Sequence, residues 1–371
     1  AIGMSGLLVK STIIMKENLE ILNERGLNPP VLLGGAALTR NYVENDLQKV
    51  YNGQAHYARD AFDGLRLLKQ VLAGTDTGLS KPPSPKPVSK PQKPRITRKR
   101  KKIVPVEPPT PPFWGSRVVT GIPLSAVVPY INKVALFRGQ WGVKKRGRTS
   151  REYDLLARET LEPTLQRLVK RAQHGQLLQP MVVYGYFPCN SAGDAVHVYA
   201  DPEETEPLMT IDFPRQAEEN GRSIADFFHT EDSRVKDVLA AHLVTVGPRA
   251  TEEAQRLFNS DEYSEYLYFH GFAVEVAEAL AEYWHREVRR ELDIDSDDGP
   301  DIPALFRQQY RGARYSFGYP ACPRLEDQAH IFTLLQPERI GVTLTEEWQL
   351  VPEESTSALI VHHPAAKYFS V

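Results

Sequence analysis

Three stretches of the sequence hold side chains able to act on a ligand. In RGARYSFGYPACPRLED (311–327), Arg314 stands among aromatic rings, prolines and Cys322. A guanidinium can grip a carboxylate in fork geometry, and the rings offer faces to a cation. In GFAVEVAEALAEYWHREVRREL (271–292), Val276, Leu280, Trp284, Val288 and Leu292 recur every fourth residue, which predicts a helix with an apolar stripe. Glu278, Glu282, His285 and Arg289 share another face. That face reads either as a salt-bridged surface or as a carboxylate set against a cationic ligand. The segment HHPAAKYFSV adds the adjacent rings of Tyr368 and Phe369. Taken without context, the helix face is evenly balanced between the two readings, while the 311–327 loop and the terminal rings read more as packing than as a site.

Other motifs carry less. Gly3-Met4-Ser5-Gly6 has its second glycine one place too early for a nucleophile elbow, so Ser5 reads as a hydroxyl at a strand end. The run Asp293 to Gly299 has Asp298 and Ala304 where a calcium loop needs Gly and Glu, and reads as a solvated acidic loop. The basic run KPRITRKRKK (93–102) lacks interleaved aromatics and reads as a hinge rather than a nucleic-acid site. There is no H-E-x-x-H, Walker A or G-x-G-x-x-G string. Two cysteines are too few for a disulfide scaffold, which points to a reducing, cytoplasmic setting. A formal net charge of −2 favours neither nucleic acid nor a membrane surface. No apolar run approaches a membrane span, and AIGMSGLLVK has no basic leader region.

The elements that must position these residues fall on either side of a proline-rich break. Residues 81–112 hold eleven prolines, and 81–102 hold ten Lys or Arg with no acid. Such a stretch joins neither helix nor sheet ladders, so 75–115 is expected to be a linker between 1–74 and 116–371. The first segment alternates: a strand over 1–9, a helix over 11–26 stopped by Gly26, a strand at PPVLLGG, a helix over 39–50 opened by Thr39, a strand over 54–58, and a helix over 60–73 capped by Asp60. This predicts an α/β fold, a partial Rossmann-like domain with a parallel sheet, whose ligand lies at the carboxyl ends of the strands. Those ends carry Ser5-Gly6-Leu7, Gly34-Gly35-Ala36 and the 57–61 loop. The last segment reads as an α+β domain with a largely antiparallel sheet. Helices are expected near 124–138, 150–173, 221–243, 248–292 (broken), 302–310 and 324–335, and strands at MVVYGYF, AVHVYA, PLMTIDF and SALIVHH.

In this order, the pieces resemble the cobalamin-dependent methionine synthase family. Residues 1–74 resemble the later half of its cobalamin-binding domain. Residues 116–371 resemble its S-adenosylmethionine-binding activation domain through GYFPCNSAGD (185–194), HGFAVEVAEALAEYWHREV (270–288), RGARYSFGYPACP (311–323) and HPAAKYF (363–369). The string Arg-x-x-x-Gly-Tyr-Pro-Ala-Cys-Pro is highly specific. The resemblance implies a methyltransferase that makes methionine from homocysteine and methyltetrahydrofolate. It implies that this region supports reductive reactivation, with S-adenosylmethionine as methyl donor and a flavodoxin-type reductant as electron donor. Arg314 would grip the α-carboxylate of S-adenosylmethionine and Glu278 would face its positive groups. Gly318 and Tyr319 would allow close approach, and Tyr368 and Phe369 would line the adenosyl pocket. On the cobalamin side Ser5 would bond the dimethylbenzimidazole tail, Gly34 and Gly35 would leave room for it, and Ala61 would abut it.

Departures from the family pattern are specific. Asn132 in Tyr130-Ile131-Asn132 replaces the usual Asp of the S-adenosylmethionine site. Phe369 replaces the second Tyr of a pair, Val9 replaces a cobalamin-side threonine, and Cys189 stands at a usual alanine. The cobalt-ligating histidine of Asp-x-His-x-x-Gly has no counterpart here and is expected upstream of residue 1. So are the zinc-dependent homocysteine module and the folate module. The chain is thus expected to be a segment of the enzyme cut at both ends. The alternative is a fragment that binds S-adenosylmethionine and cobalamin without turnover.

Overall fold

The computed structural model describes residues 1–6, 9–35, 38, 40–58, 61–72, 103–143, 145, 148–216, 221–260, 262–346 and 348–369. Two compact units, 1–98 and 99–371, divide the chain.

In the first unit, strands β1 (Ile2–Ser5), β2 (Val31–Gly34) and β3 (Ala55–Ala58) lie parallel in that order. Helices Val9–Glu24 and Ala61–Leu72 and a helical stretch over 40–50 follow them, the last holding a π turn at Val43–Leu47. Every residue of β2 is buried, as a central parallel strand requires. Leu19, Val31, Leu33, Val43 and Leu47 form the core. The apolar run 1–9 is not one strand: β1 ends at Ser5 and Val9 already belongs to a helix. That helix ends where Gly26 turns left-handed at φ 67°. Thr39 and Asp60, expected to start helices, lie outside the described residues.

The second unit is built on a seven-stranded sheet. Its strands are β4 (Gly115–Val119), β5 (Met181–Ala192), β6 (Ala195–Val198), β7 (Met209–Asp212), β8 (Asp237–Thr245), β9 (Ala313–Tyr315) and β12 (Ser355–Val361). Between the last two in sequence, β10 (Thr343–Leu344) and β11 (Leu350–Val351) form a separate ribbon. The order is β7-β6-β5-β8-β12-β9, with β4 against the first half of β5 and β6 against its end. All pairings are antiparallel.

The helix expected over 221–243 is not there. Two 3₁₀ turns, Ile224–Phe227 and Glu231–Ser233, lead into β8. All nine residues of β8 are buried, because Val238, Ala240 and Val244 face one core while Leu239, Ala241 and Leu243 face the other. A strand covered on both faces shows no alternation, so its apolar run is indistinguishable from a buried helix. The helix expected over 124–138 also breaks, into Leu124–Val127, a 3₁₀ turn at Val128–Tyr130, and a π-helix at Ala135–Gln140. Ile131 is extended between them.

The broken 248–292 helix is confirmed as Pro248–Asn259 and Tyr263–Glu291. Its stripe of Val276, Leu280, Trp284, Val288 and Leu292 is buried in the first core. The face bearing Glu282, His285 and Arg289 is buried as well, not a salt-bridged surface. Arg289 is fully buried; its Nε and Nη2 reach the two carboxylate oxygens of Asp298 at 2.7 and 2.8 Å, and its guanidinium lies 4.3 Å from the centre of the Tyr310 ring. The acidic loop is therefore tied down at Asp298 rather than solvated there. Residues 103–106 run along the second unit, with His363 and His229 donating from Nε2 to the carbonyls of Val104 and Val106 at 2.9 Å each.

Removing one partner of a buried ion pair strands the other charge. Asp298→Ala is accordingly expected to lower the unfolding free energy by roughly 3–5 kcal/mol, measured by urea denaturation. A loss of under about 1 kcal/mol, the range of an exposed pair, would refute this role.

Candidate functional site

A cavity of about 190 Å³ opens between the long helix Tyr263–Glu291 and the β12–β9 edge of the sheet. Period-two alternation puts Arg314 there. Its neighbours Ala313 and Tyr315 pack into the second core, so the residue between them must face the other way, toward the helix. There Arg314 Nη2 donates to Glu282 Oε2 at 2.8 Å. Glu278, one helical turn earlier, lines the same cavity together with Thr356 of β12. Tyr319, Tyr368, Tyr310 and His242 also line it.

The electrostatics follow from the walls. Desolvation against the cavity wall works to raise the Glu278 carboxyl, opposed by Arg314 and the Thr356 hydroxyl, but the residue as a whole is exposed, so solvent weakens that upward push. Burial works against the Arg314 charge too, yet Glu282 and its other neighbours outweigh it. His242 and His285 are fully buried, and neither has a hydrogen-bond partner for its ring nitrogens among the described residues. Burial, aided by Arg314, holds both well below the ordinary histidine range, so both are neutral. Near Glu278, burial and the Glu278 charge push Glu275 up to about 8.

Four of the expected residues, Glu278, Arg314, Tyr319 and Tyr368, therefore share one cavity. Gly318 serves it from behind. It sits at φ 83°, its N–H bonds the Cys322 carbonyl at 2.9 Å, and a Cβ there would come within 2.9 Å of Leu325. The resulting turn presents Tyr319. Phe369 is not on the cavity wall; its ring packs against Phe227 and Tyr315. Asn132 also lies off the wall. Its side-chain oxygen accepts from the N–H groups of Val134 and Ala135, where the chain enters the π-helix, and its own N–H donates to Glu275 at 3.1 Å. Sequence reasoning did not single out Thr356 or His242, because strand residues carry no local signal of a site. Glu282 was visible only as the i+4 companion of Glu278.

In the first unit the register sets Ser5, Gly34 and Ala58 level at the carboxyl edge of the sheet. Ser5 is exposed there. A Cβ on Gly34 would come within 2.9 Å of the Ala58 carbonyl, and Gly35, at φ 115°, would drive one into the backbone of Gly6. Both glycines thus answer to the unit's own close packing. Val9 and Ala61 stand at the first positions of their helices. Among the described residues, no cluster of His, Cys, Asp and Glu is placed to hold a metal ion, and no helix is long and apolar enough to cross a membrane.

The raised carboxyl of Glu275 has a consequence for stability. The folded state holds this proton to a higher pH than the unfolded chain does, so its contribution is complete below the ordinary carboxylate range and is lost as pH rises toward about 8. Glu275→Gln is expected to flatten the fall in urea-unfolding free energy between about pH 5 and pH 8. An unchanged slope would remove Glu275 as its source.

Comparison with known proteins gives three concordant findings. A family model described as vitamin B12 dependent methionine synthase, activation domain, matches residues 123–371. The methionine synthases of Mycobacterium leprae and Mycobacterium tuberculosis are each 44% identical, over 412 and 409 aligned residues, covering all of this chain and 34% of theirs. The chain thus spans about a third of the length of these relatives. A crystal structure titled as the MetH reactivation domain bound to AdoHcy superposes with a TM-score of 0.63 at 28% identity, covering 71% of this chain and 83% of that one. The mixed architecture, a small parallel sheet and a larger antiparallel one, accords with these matches, and with the family model spanning most of the second unit the chain belongs to the vitamin B12-dependent methionine synthase family.

Proposed function

We propose that residues 116–371 bind S-adenosylmethionine with its amino-acid end in the Arg314–Glu278 cavity, and that they support reductive reactivation of a cobalamin-dependent methionine synthase of which this chain is a segment. The observation that carries this reading is the meeting of the Arg314 guanidinium and the Glu278 carboxylate on the wall of a single cavity, with the guanidinium held in place by Glu282. A zwitterionic amino acid bearing an extra cation needs this set: Arg314 for the α-carboxylate, Glu278 for the positive groups. The cavity volume of about 190 Å³ is below the roughly 300 Å³ lower bound of sites that enclose a drug-sized ligand. Only the amino-acid end fits inside, and the adenosyl end lies over the exposed rings of Tyr319 and Tyr368. Phe369 holds the Tyr368 segment by packing, and Gly318 sets the Tyr319 turn. For Asn132 the family resemblance is the sole support.

The first unit is, on this reading, the later part of a Rossmann-like cobalamin-binding domain. The residues present fit a bulky ligand tail. An exposed Ser5 hydroxyl stands beside Gly34 and Ala58, so nothing larger than a methyl group projects from its two neighbours along that row. Ser5, Val9, Gly34, Gly35 and Ala61 would hold the tail. When bound, cobalamin supplies the metal-centred nucleophile that accepts the methyl group. The protein's share is position: Arg314 and Glu278 fix the donor so that its methyl group is offered at a set angle. The homocysteine and folate modules, and a flavodoxin-type reductant, are the proposed partners.

Titration calorimetry tests the pocket. Arg314→Ala, and Arg314→Lys as the variant that keeps a charge, are expected to weaken S-adenosylmethionine binding by roughly a hundredfold and tenfold, as loss of a desolvated charge contact implies. Wild-type affinity in both, with circular dichroism unchanged, would refute the assignment.

A further inference from the structure

One polar side chain on the cavity wall is fully buried and bonded to nothing. His242 has no exposed surface, and neither of its ring nitrogens has a hydrogen-bond partner among the described residues. Its neighbours on the same face of β8, Ala240 and Val244, are apolar and lie in the first core. An imidazole placed there without a partner costs stability. His285 is unpartnered too, but it is not on the cavity wall. His242 alone of the two can meet a ligand.

The sheet register shows what His242 would meet. His242 stands level with Ala358 of β12, and Arg314 of β9 stands level with Ile360, two residues along β12 on the same face. Strands β8 and β9 therefore flank β12, roughly 10 Å apart at the ordinary strand spacing. Ala358 lines the cavity between them and raises only a methyl group, so the space above it opens to both side chains. Arg314 has already committed Nη2 to Glu282 at 2.8 Å, which takes up part of its fork. A carboxylate drawn to Arg314 thus has one oxygen in need of a second donor. Burial, with Arg314 nearby, keeps the His242 ring neutral, and a neutral imidazole carries one N–H.

We propose that His242 is a specificity-determining contact for the α-carboxylate of the bound amino acid, its imidazole N–H bonding one carboxylate oxygen while Arg314 holds the other. The inference rests on the pocket reading above and deepens it, by naming the group that reads a free carboxylate. The ammonium and sulfonium are left to Glu278. A site built to hydrogen-bond a ligand group rejects an analogue that lacks it, because the buried donor is then left unpaired. His242 accordingly makes the cavity select the intact amino acid over the same sulfonium nucleoside without its carboxylate.

The experiment is calorimetric titration of S-adenosylmethionine, and of its decarboxylated analogue, into the full chain and into His242→Phe, which keeps a ring but removes the N–H. His242→Phe is expected to weaken S-adenosylmethionine binding by roughly tenfold, the scale of one hydrogen bond to a charged group, and to leave binding of the decarboxylated analogue unchanged. His242→Gln, which restores a side-chain N–H, should recover part of the loss. A ring that only packs the core would cost both ligands alike. An equal loss for the two ligands, or unchanged S-adenosylmethionine affinity in His242→Phe, would overturn the inference and leave the pocket reading standing. Histidine-selective ¹⁵N NMR of the unaltered chain gives a second measurement that needs no variant to fold. One imidazole N–H should shift on adding S-adenosylmethionine and stay in place with the decarboxylated analogue; a shift in none would likewise overturn the inference. Failure of S-adenosylmethionine to bind the unaltered chain would overturn the pocket reading and this inference with it.

Discussion

The ion pair between Arg314 and Glu282 is the constraint around which the second unit is arranged. A guanidinium walled in between a helix and a sheet must have a carboxylate, or the cost of desolvating it goes unanswered. The pair spans 32 residues of sequence, so it forms only if helix rotation and strand register are both correct. The apolar stripe fixes the rotation: with Val276, Leu280 and Trp284 in the first core, Glu278 and Glu282 are turned toward the sheet edge. Register fixes the other side. Pairing of Arg314 with Ile360 across β9 and β12 places the guanidinium level with the helix turn that carries Glu282. Ordinary hydrophobic burial thus sets charged groups at hydrogen-bonding distance.

Behind the pair, the interior is poor in compensating charge. His242 and His285 sit in the core as neutral rings, His285 meeting the edge of Tyr310 with ring centres 5.0 Å apart. Two neutral imidazoles and a phenol make a floor that does little to screen a charge placed above it. In such surroundings a single unit of ligand charge counts for more than it would at the surface. Arg289, anchored to Asp298 beneath Tyr310, keeps that floor in place.

How much of this was legible in the sequence depends on the kind of signal. The stripe of the long helix was readable because one face is apolar at every fourth residue; a break somewhere in 248–292 was expected, and the structure puts it between Asn259 and Tyr263. Arg314, Glu278, Tyr319 and Tyr368 were singled out by residue type and family likeness, and they converge. The central strand β8 was not readable: two cores claim its alternate residues, so no polar face remains to show the period. The strand β9 is only three residues long, below what periodicity can detect, although it carries Arg314. The burial of Glu282, His285 and Arg289 was missed because their spacing is that of an exposed charged face. Only the tertiary partners, Arg314 and Asp298, turn that face inward. The glycines at 34 and 35 were read as space for a ligand, whereas the contacts of Gly34 with Ala58 and of Gly35 with Gly6 already demand them.

The size of the cavity bears on what a methyl donor held there must do. An enclosing pocket would bind more tightly, but it would also hide the methyl group from an acceptor carried on another part of the protein. A cavity of about 190 Å³ can fix the charged end of the donor and no more. Tyr319 and Tyr368, both about half exposed at 51% and 44%, then form a lip instead of a lid. On the proposed reading, tight contacts concentrate on the carboxylate and ammonium, which do not react, and the sulfonium methyl stays at the mouth. Binding energy taken at the inert end then pays for the orientation of the reactive one, and Arg314 and Glu282, which never touch the methyl group, become the residues on which its aim depends.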